Sequence, residues 1–254
     1  MGKVYLVGAG PGAPDLLTLR AARVLERADV VFHDALIHPE VLAIASRARI
    51  IPVGKRCSRI STDQRFINRG LVEAALRYDV VVRLKGGDPM VFGRAQEELD
   101  ALAANGVSCE VIPGVTAALA AAAELKVSLT RRGVSRSVVL ATPRVGKEQS
   151  PGRWAECVAA ADAAVLYMGM GESEPLVQAL RQAGVPGRTP ISIVQNASLP
   201  AARILHAALD DLPQCAVDAR SDGPALLVVG EILRRGLSAE QRDESNFVRH
   251  ALEA

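Results

Sequence analysis

A chain of 254 residues, 49% hydrophobic and 23% charged, has the composition of an ordinary soluble globular protein and length enough for two domains. A net charge of +2 with 3% aromatics supplies neither the basic surface nor the stacking platforms of a nucleic-acid binder. No signal-peptide pattern opens the chain and no apolar run reaches the ~18 residues of a membrane span, so a cytoplasmic protein without a membrane partner is expected.

In chain order, the first half alternates short apolar runs with helical spacing. VYLVG (4–8) reads as a strand, and Leu16 to Ala28 as a helix with Leu19, Ala22 and Leu25 at apolar positions. ADVVFHD (28–34) is the next strand, Pro39 to Ser46 a short helix and RIIPVG (49–54) a third strand. Ser61 and Gln64 suggest a capping box for a helix reaching Tyr78. YDVVVRL (78–84) is a strand, Gln96 to Asn105 a helix stopped by Gly106, and SCEVIPG (108–114) the last strand of this half.

The alanine-rich stretch 115–125 reads as a helix leading into the second half. Strand candidates follow at 137–143, 163–169, 189–195, 203–209 and 225–231, with a helix at 171–184. Helices are sparser here. The fold class expected is α/β, with two α/β domains, the first built on a mostly parallel sheet and the second on a mixed one. The boundaries are an N-terminal domain with glycine loops at 1–114, a C-terminal domain at 115–236 and a polar tail at 237–254. Cys57, Cys109, Cys157 and Cys215 are widely spaced and read as buried, reduced thiols, and the scattered histidines give no metal-ligand spacing.

The chemistry belongs to the loops. GAGPGAPD (8–15) follows the first strand, and Gly8, Gly10 and Ala13 fit the dinucleotide fingerprint, with Asp34 placed where a ribose-binding acid is expected. Against this, Pro11 and Pro14 remove two backbone N–H groups that a pyrophosphate cradle would use. A second loop, KGGDPMVFGR (85–94), and a third, IPGVTAA (112–118), also follow strands. Open α/β sheets hold their ligands at the carboxyl ends of strands, so three glycine loops in one half point to one ligand site. A nicotinamide-dependent oxidoreductase stays open as an alternative, but leaves the second and third loops without a task.

VGAGPG, VGKR (53–56), RLKGGDP (83–89), FGR-x-x-EE (92–98), PGVTAA (113–118) and YMG (167–169) together resemble the tetrapyrrole methylases, in order and from about Val4 to Gly230. Within that family the match is nearest to members that C-methylate uroporphyrinogen III on the sirohaem, cobalamin and haem d1 branch. The resemblance implies two α/β domains, S-adenosylmethionine bound in the cleft between them, S-adenosylhomocysteine as product, and a homodimer. It places cofactor contacts at Pro11, Gly86, Gly87, Asp88, Val91, Thr116, Ala117, Met168, Ala197 and Ala225. It assigns catalytic roles to Asp34, as proton acceptor, and Lys55, as proton donor or holder of an acidic substituent.

A carboxylate-rich tetrapyrrole calls for arginine forks and lysines, and the candidates are Arg94 and Arg132 first, then Arg131, Lys55 and Arg56. Glu97 is the acid that would accept hydrogen bonds from pyrrole N–H groups. Three positions depart from the family pattern. Ala35 stands where an arginine is common, Thr142-Pro143-Arg144 replaces T-G-H, and Ala95-Gln96 replaces a glycine pair. The first two bear on the acceptor, so a methylase of the same fold with another acceptor, or a binding protein without turnover, are the alternatives. Later pathway steps are expected to belong to separate proteins.

Overall fold

Five apolar runs of the first half form strands β1 (Lys3–Gly8), β2 (Val30–His33), β3 (Arg49–Pro52), β4 (Val80–Lys85) and β5 (Cys109–Ile112). The computed structural model describes residues 1–54, 64–144, 150, 152–219 and 223–235. All five strands pair in parallel, in the order β3-β2-β4-β1-β5. Between them run α1 (Leu19–Glu26), α2 (Pro39–Ile44), α3 (Gln64–Ala75) and α4 (Ala95–Ala104).

Period-two alternation sorts the strand side chains onto two faces. Val82 and Leu84 of β4 join Tyr5 and Val7 in a core with Val24 and Leu25 of α1 and Val41 of α2. On the other face Val81, Val4 and Phe32 pack with Ile67 and Leu71 of α3 and Leu102 of α4. Both faces are therefore covered, as a parallel sheet requires.

Helix α1 begins three residues later than the apolar spacing suggests. Pro14–Leu16 closes a separate single turn, and Thr18 Oγ1 then accepts a hydrogen bond from Ala21 N at 3.1 Å, capping the helix proper. Ser61 lies outside the described residues.

The second half is a mixed sheet in the order β6-β7-β10-β8-β9. Its strands are β6 (Val138–Ala141), β7 (Ala163–Tyr167), β8 (Pro190–Gln195), β9 (Arg203–Ala208) and β10 (Ala225–Val229). Only β6 and β7 pair in parallel; β7–β10, β10–β8 and β8–β9 are antiparallel. Helix α5 (Ala117–Leu125) precedes this sheet, and α6 (Trp154–Ala160), α7 (Ser173–Gln182) and α8 (Leu212–Asp218) accompany it. The periodicity did not announce α6 and α8. Each has seven residues, too few for a repeat to stand out.

The chain divides into two compact units, Met1–Ala117 and Ala118–Ala254. Among the described residues no helix is long and apolar enough to cross a membrane. Cys215 is buried and Cys109 half-buried, with burial pushing the Cys109 thiol up to about 11, whereas Cys157 is exposed, contrary to the sequence expectation.

Candidate active site

In the first unit, β4, β1 and β5 lie side by side and deliver their loops to the same sheet edge. There the backbones touch. Gly87 N donates to Gly10 O at 2.8 Å, and Gly10 N donates back to Gly87 O at 3.2 Å. A Cβ on Gly8 would sit 2.5 Å from Gly114 N and 2.8 Å from Gly87 O, and one on Gly114 would collide with Gly87 O. Glycine is required at both positions because no side chain fits where three loops converge.

Asp88 ties two of those loops together. Its Oδ1 accepts from Met90 N at 2.8 Å and its Oδ2 from Gly114 N at 2.9 Å. Val91 N donates to Asp88 O at 3.2 Å, closing a turn. Thr116 and Ala117 lie beside Gly87, whose φ of 65° is left-handed. Gly86 differs from its neighbours: it is exposed, and a Cβ there would meet nothing within 4 Å. The cradle thus leaves open backbone at Gly86, with Pro11 on the neighbouring loop.

Asp34 stands at the end of β2, one strand along from Lys85. Gly54 sits against it so closely that an added Cβ would clash with Ala35 N and lie 2.7 Å from Asp34 Cα. Arg83 of β4 reaches Asp34, its Nη2 donating to Oδ1 at 2.5 Å. Arg83 Nε donates to Glu98 Oε1 at 2.9 Å, and Lys85 Nζ donates to both oxygens of Glu98 at 3.0 and 2.9 Å. Gln64 Nε2 adds a further bond to Glu98 Oε1 at 3.1 Å.

Burial lowers the Arg83 pKa, but the carboxylates of Asp34 and Glu98 outweigh it and the net shift is upward. Lys85 is pushed below the ordinary lysine value, first by burial and then by the Arg83 charge. Lys55 and Arg56 lie outside the described residues.

Arg94 and Glu97 engage each other. Arg94 Nε and Nη2 donate to the two Glu97 oxygens, each at 2.7 Å, and this hydrogen bonding holds the Glu97 carboxyl below the usual carboxylate range. Both side chains are exposed, Arg94 at the N-cap of α4 and Glu97 in its first turn.

In the second unit, Met168 follows β7 with a left-handed φ of 58° and is 45% exposed. Asn196 and Ser198, at φ 50° and 73°, flank the buried Ala197. Non-glycine residues seldom adopt this conformation and gather where function demands it. Tyr167 Oη accepts from Ala118 N at 3.1 Å, fixing the first turn of α5 beside Met168. Ala225 lines a cavity of about 370 Å³ with Met170, Gly171, Gln195 and Gly223. Gln195 is buried there; its amide donates to Ala219 O, while its Oε1 has no hydrogen-bond partner among the described residues. Arg131, Arg132 and Arg144 are exposed.

The family model for Tetrapyrrole (Corrin/Porphyrin) Methylases matches residues 3–213. The chain belongs to this family. It is 42% identical over 233 residues to the uroporphyrinogen-III C-methyltransferase of Pseudomonas aeruginosa, covering 92% of this chain and 95% of that one. It is 41% identical over 235 residues to the siroheme synthase of Azotobacter vinelandii, again over 92% of this chain, and spans about half, 51%, of that longer protein. Among solved structures it resembles the uroporphyrin-III C-methyl transferase of Thermus thermophilus complexed with S-adenyl homocysteine. There the TM-score is 0.81 and the identity 39%, with 92% of this chain and 100% of that one covered.

For a tetrapyrrole methylase, the first unit brings together Pro11, Gly86, Gly87, Asp88, Thr116 and Ala117, with Asp34 nearby on the same sheet edge. Met168, Ala197 and Ala225 gather at strand ends of the second. The sequence reading passed over Arg83, Lys85 and Glu98. A signal was present: VVVRLK puts two cations two residues apart on one face of a strand buried on both sides, and a buried cation needs an acid.

Proposed function

We propose that this methylase transfers methyl groups from S-adenosylmethionine to two pyrrole carbons of uroporphyrinogen III, the second and seventh of the ring, giving precorrin-2. The observation that carries the reading is the glycine cradle. Backbone crowding at Gly8, Gly87 and Gly114 leaves Gly86 open, with no side chain to keep a ligand from the main chain. Such a surface fits a ligand recognised by shape and backbone polarity. Likeness to the Pseudomonas enzyme along nearly its whole length supports the acceptor.

In this reading Pro11, Gly86, Gly87, Asp88, Val91, Thr116 and Ala117 contact the methyl donor, and Met168, Ala197 and Ala225 are assigned to it from the family pattern alone. When bound, S-adenosylmethionine supplies a methyl group already activated on sulfonium. The chain's own work is alignment, exclusion of water and handling of one proton per transfer. Asp34 accepts the proton lost from the methylated ring, and Arg83 holds the carboxylate in place. Lys55 is assigned a proton-donating or anchoring role from the family pattern alone. Arg94, Glu97 and Arg132 meet the substrate; Arg94 and Glu97 would exchange their mutual pair for its carboxylates and pyrrole N–H groups. The proposal includes a cytoplasmic location and, as the resemblance implies, a homodimer.

Titration calorimetry checks the cofactor. One S-adenosylmethionine, or one S-adenosylhomocysteine in competition, binds per chain, and NADH gives no heat. Binding of NADH at the same site would return the first loop to the dinucleotide reading.

A further inference from the structure

The charged cluster behind Asp34 is asymmetric. Arg83 and Lys85 side chains are each 3% exposed and Glu98 is 0% exposed, yet the fourth member, Asp34, is 32% exposed. The formal charges cancel, two cations against two carboxylates. Burying such a set is costly, and an apolar core would serve stability as well or better. Three members are anchored under α3 and α4, and the fourth emerges at the strand ends that carry the glycine cradle.

Each guanidinium nitrogen of Arg83 has its own acceptor. Nε serves Glu98, Nη1 serves Leu84 O at 3.2 Å, and Nη2 serves Asp34. A planar fork held at three points cannot rotate, so its remaining direction of action is fixed toward the Asp34 carboxylate. Glu98 is itself held by Lys85 and Gln64, and Gln64 Nε2 also reaches Asn68 Oδ1 at 3.0 Å. Asp34 Oδ2 takes no hydrogen bond from the described residues, which leaves one oxygen for a substrate proton.

We propose that Arg83 and Glu98 are positioning residues for the reaction: Glu98, clamped by Lys85 and Gln64, orients Arg83, and Arg83 orients the Asp34 carboxylate that receives the proton. The proposal rests on reading Asp34 as the proton acceptor. Glu97, the adjacent acid, lies on the exposed face of α4 and belongs to a different contact.

The test is a kinetic cycle on the full chain with S-adenosylmethionine and uroporphyrinogen III, using Asp34→Asn, Glu98→Gln, Arg83→Lys and the Asp34→Asn/Glu98→Gln double variant. Asp34→Asn lowers kcat roughly 10²- to 10⁴-fold. Glu98→Gln and Arg83→Lys, which keep shape and charge respectively, each lower kcat about tenfold or more with KM for S-adenosylmethionine within about twofold. The double variant is no slower than Asp34→Asn alone, because Glu98 acts through Asp34.

If the Glu98→Gln loss multiplies in full onto the Asp34→Asn loss, or if both positioning variants raise KM and leave kcat intact, the proposal is overturned. A wild-type kcat in Asp34→Asn sinks the proton-acceptor reading itself, a result distinct from the others. Should Glu98→Gln fail to fold, Arg83→Lys and its double variant with Asp34→Asn carry the same comparison.

Discussion

Gly8 and Gly86 lie at the ends of adjacent strands, β1 and β4, and answer differently to an added methyl group. At Gly8 it would strike the Gly114 and Gly87 backbones, whereas at Gly86 it would meet nothing. Gly8→Ala should therefore destabilise by about 1–3 kcal/mol or more, as overpacking against backbone does. Gly86→Ala should change stability by less than about 0.5 kcal/mol, yet weaken S-adenosylmethionine binding by about tenfold, or 1.4 kcal/mol. Urea denaturation and calorimetry on the pair separate the two effects; equal losses of stability would contradict the geometry.

His206 offers a second test at this scale. Burial lowers its pKa, and its Nδ1 lies 2.8 Å from Ser192 Oγ. The unfolded chain then binds a proton that the folded chain refuses. This contribution to stability is complete above the ordinary value near 6.5 and is lost as pH falls through the depressed folded value. The wild-type melting temperature should fall more steeply between about pH 6.5 and 5 than that of His206→Gln; parallel curves would contradict it.

The glycine loops were legible in the sequence because turns at strand ends leave a local signature, whereas Asp34 was assigned from the family pattern. Glu98 was not, since two adjacent glutamates on α4 look alike until the helix is docked: one faces Arg94 in solvent, the other Lys85 and Arg83 in the core.

Helix α1 shows at the level of elements how local chemistry overrides periodicity. Apolar spacing runs from Leu16, but Pro14 starts a separate turn and the Thr18 hydroxyl begins the helix. Thr18→Ala should cost about 1 kcal/mol, read as a lower urea midpoint with an unchanged m-value; an unaltered midpoint would remove the cap from the account. The ten strands were readable because each is a short run of apolar or β-branched residues between turns. Parallel pairing in the first sheet followed from strand–helix alternation. The order within each sheet did not, since β4 inserts between β1 and β2, and β10 between β7 and β8, through contacts distant in sequence.

As a whole molecule, the protein carries a parallel sheet whose loops form a backbone cradle, and a mixed sheet whose strand ends present Met168, Ala197 and Ala225. The central claim is methyl transfer to uroporphyrinogen III, and the direct measurement is an anaerobic incubation with S-adenosylmethionine followed by mass spectrometry. The account predicts a product heavier by two methyl groups, with one S-adenosylhomocysteine released for each. Bound cofactor with no mass gained by the tetrapyrrole would contradict it and direct the search to another acceptor.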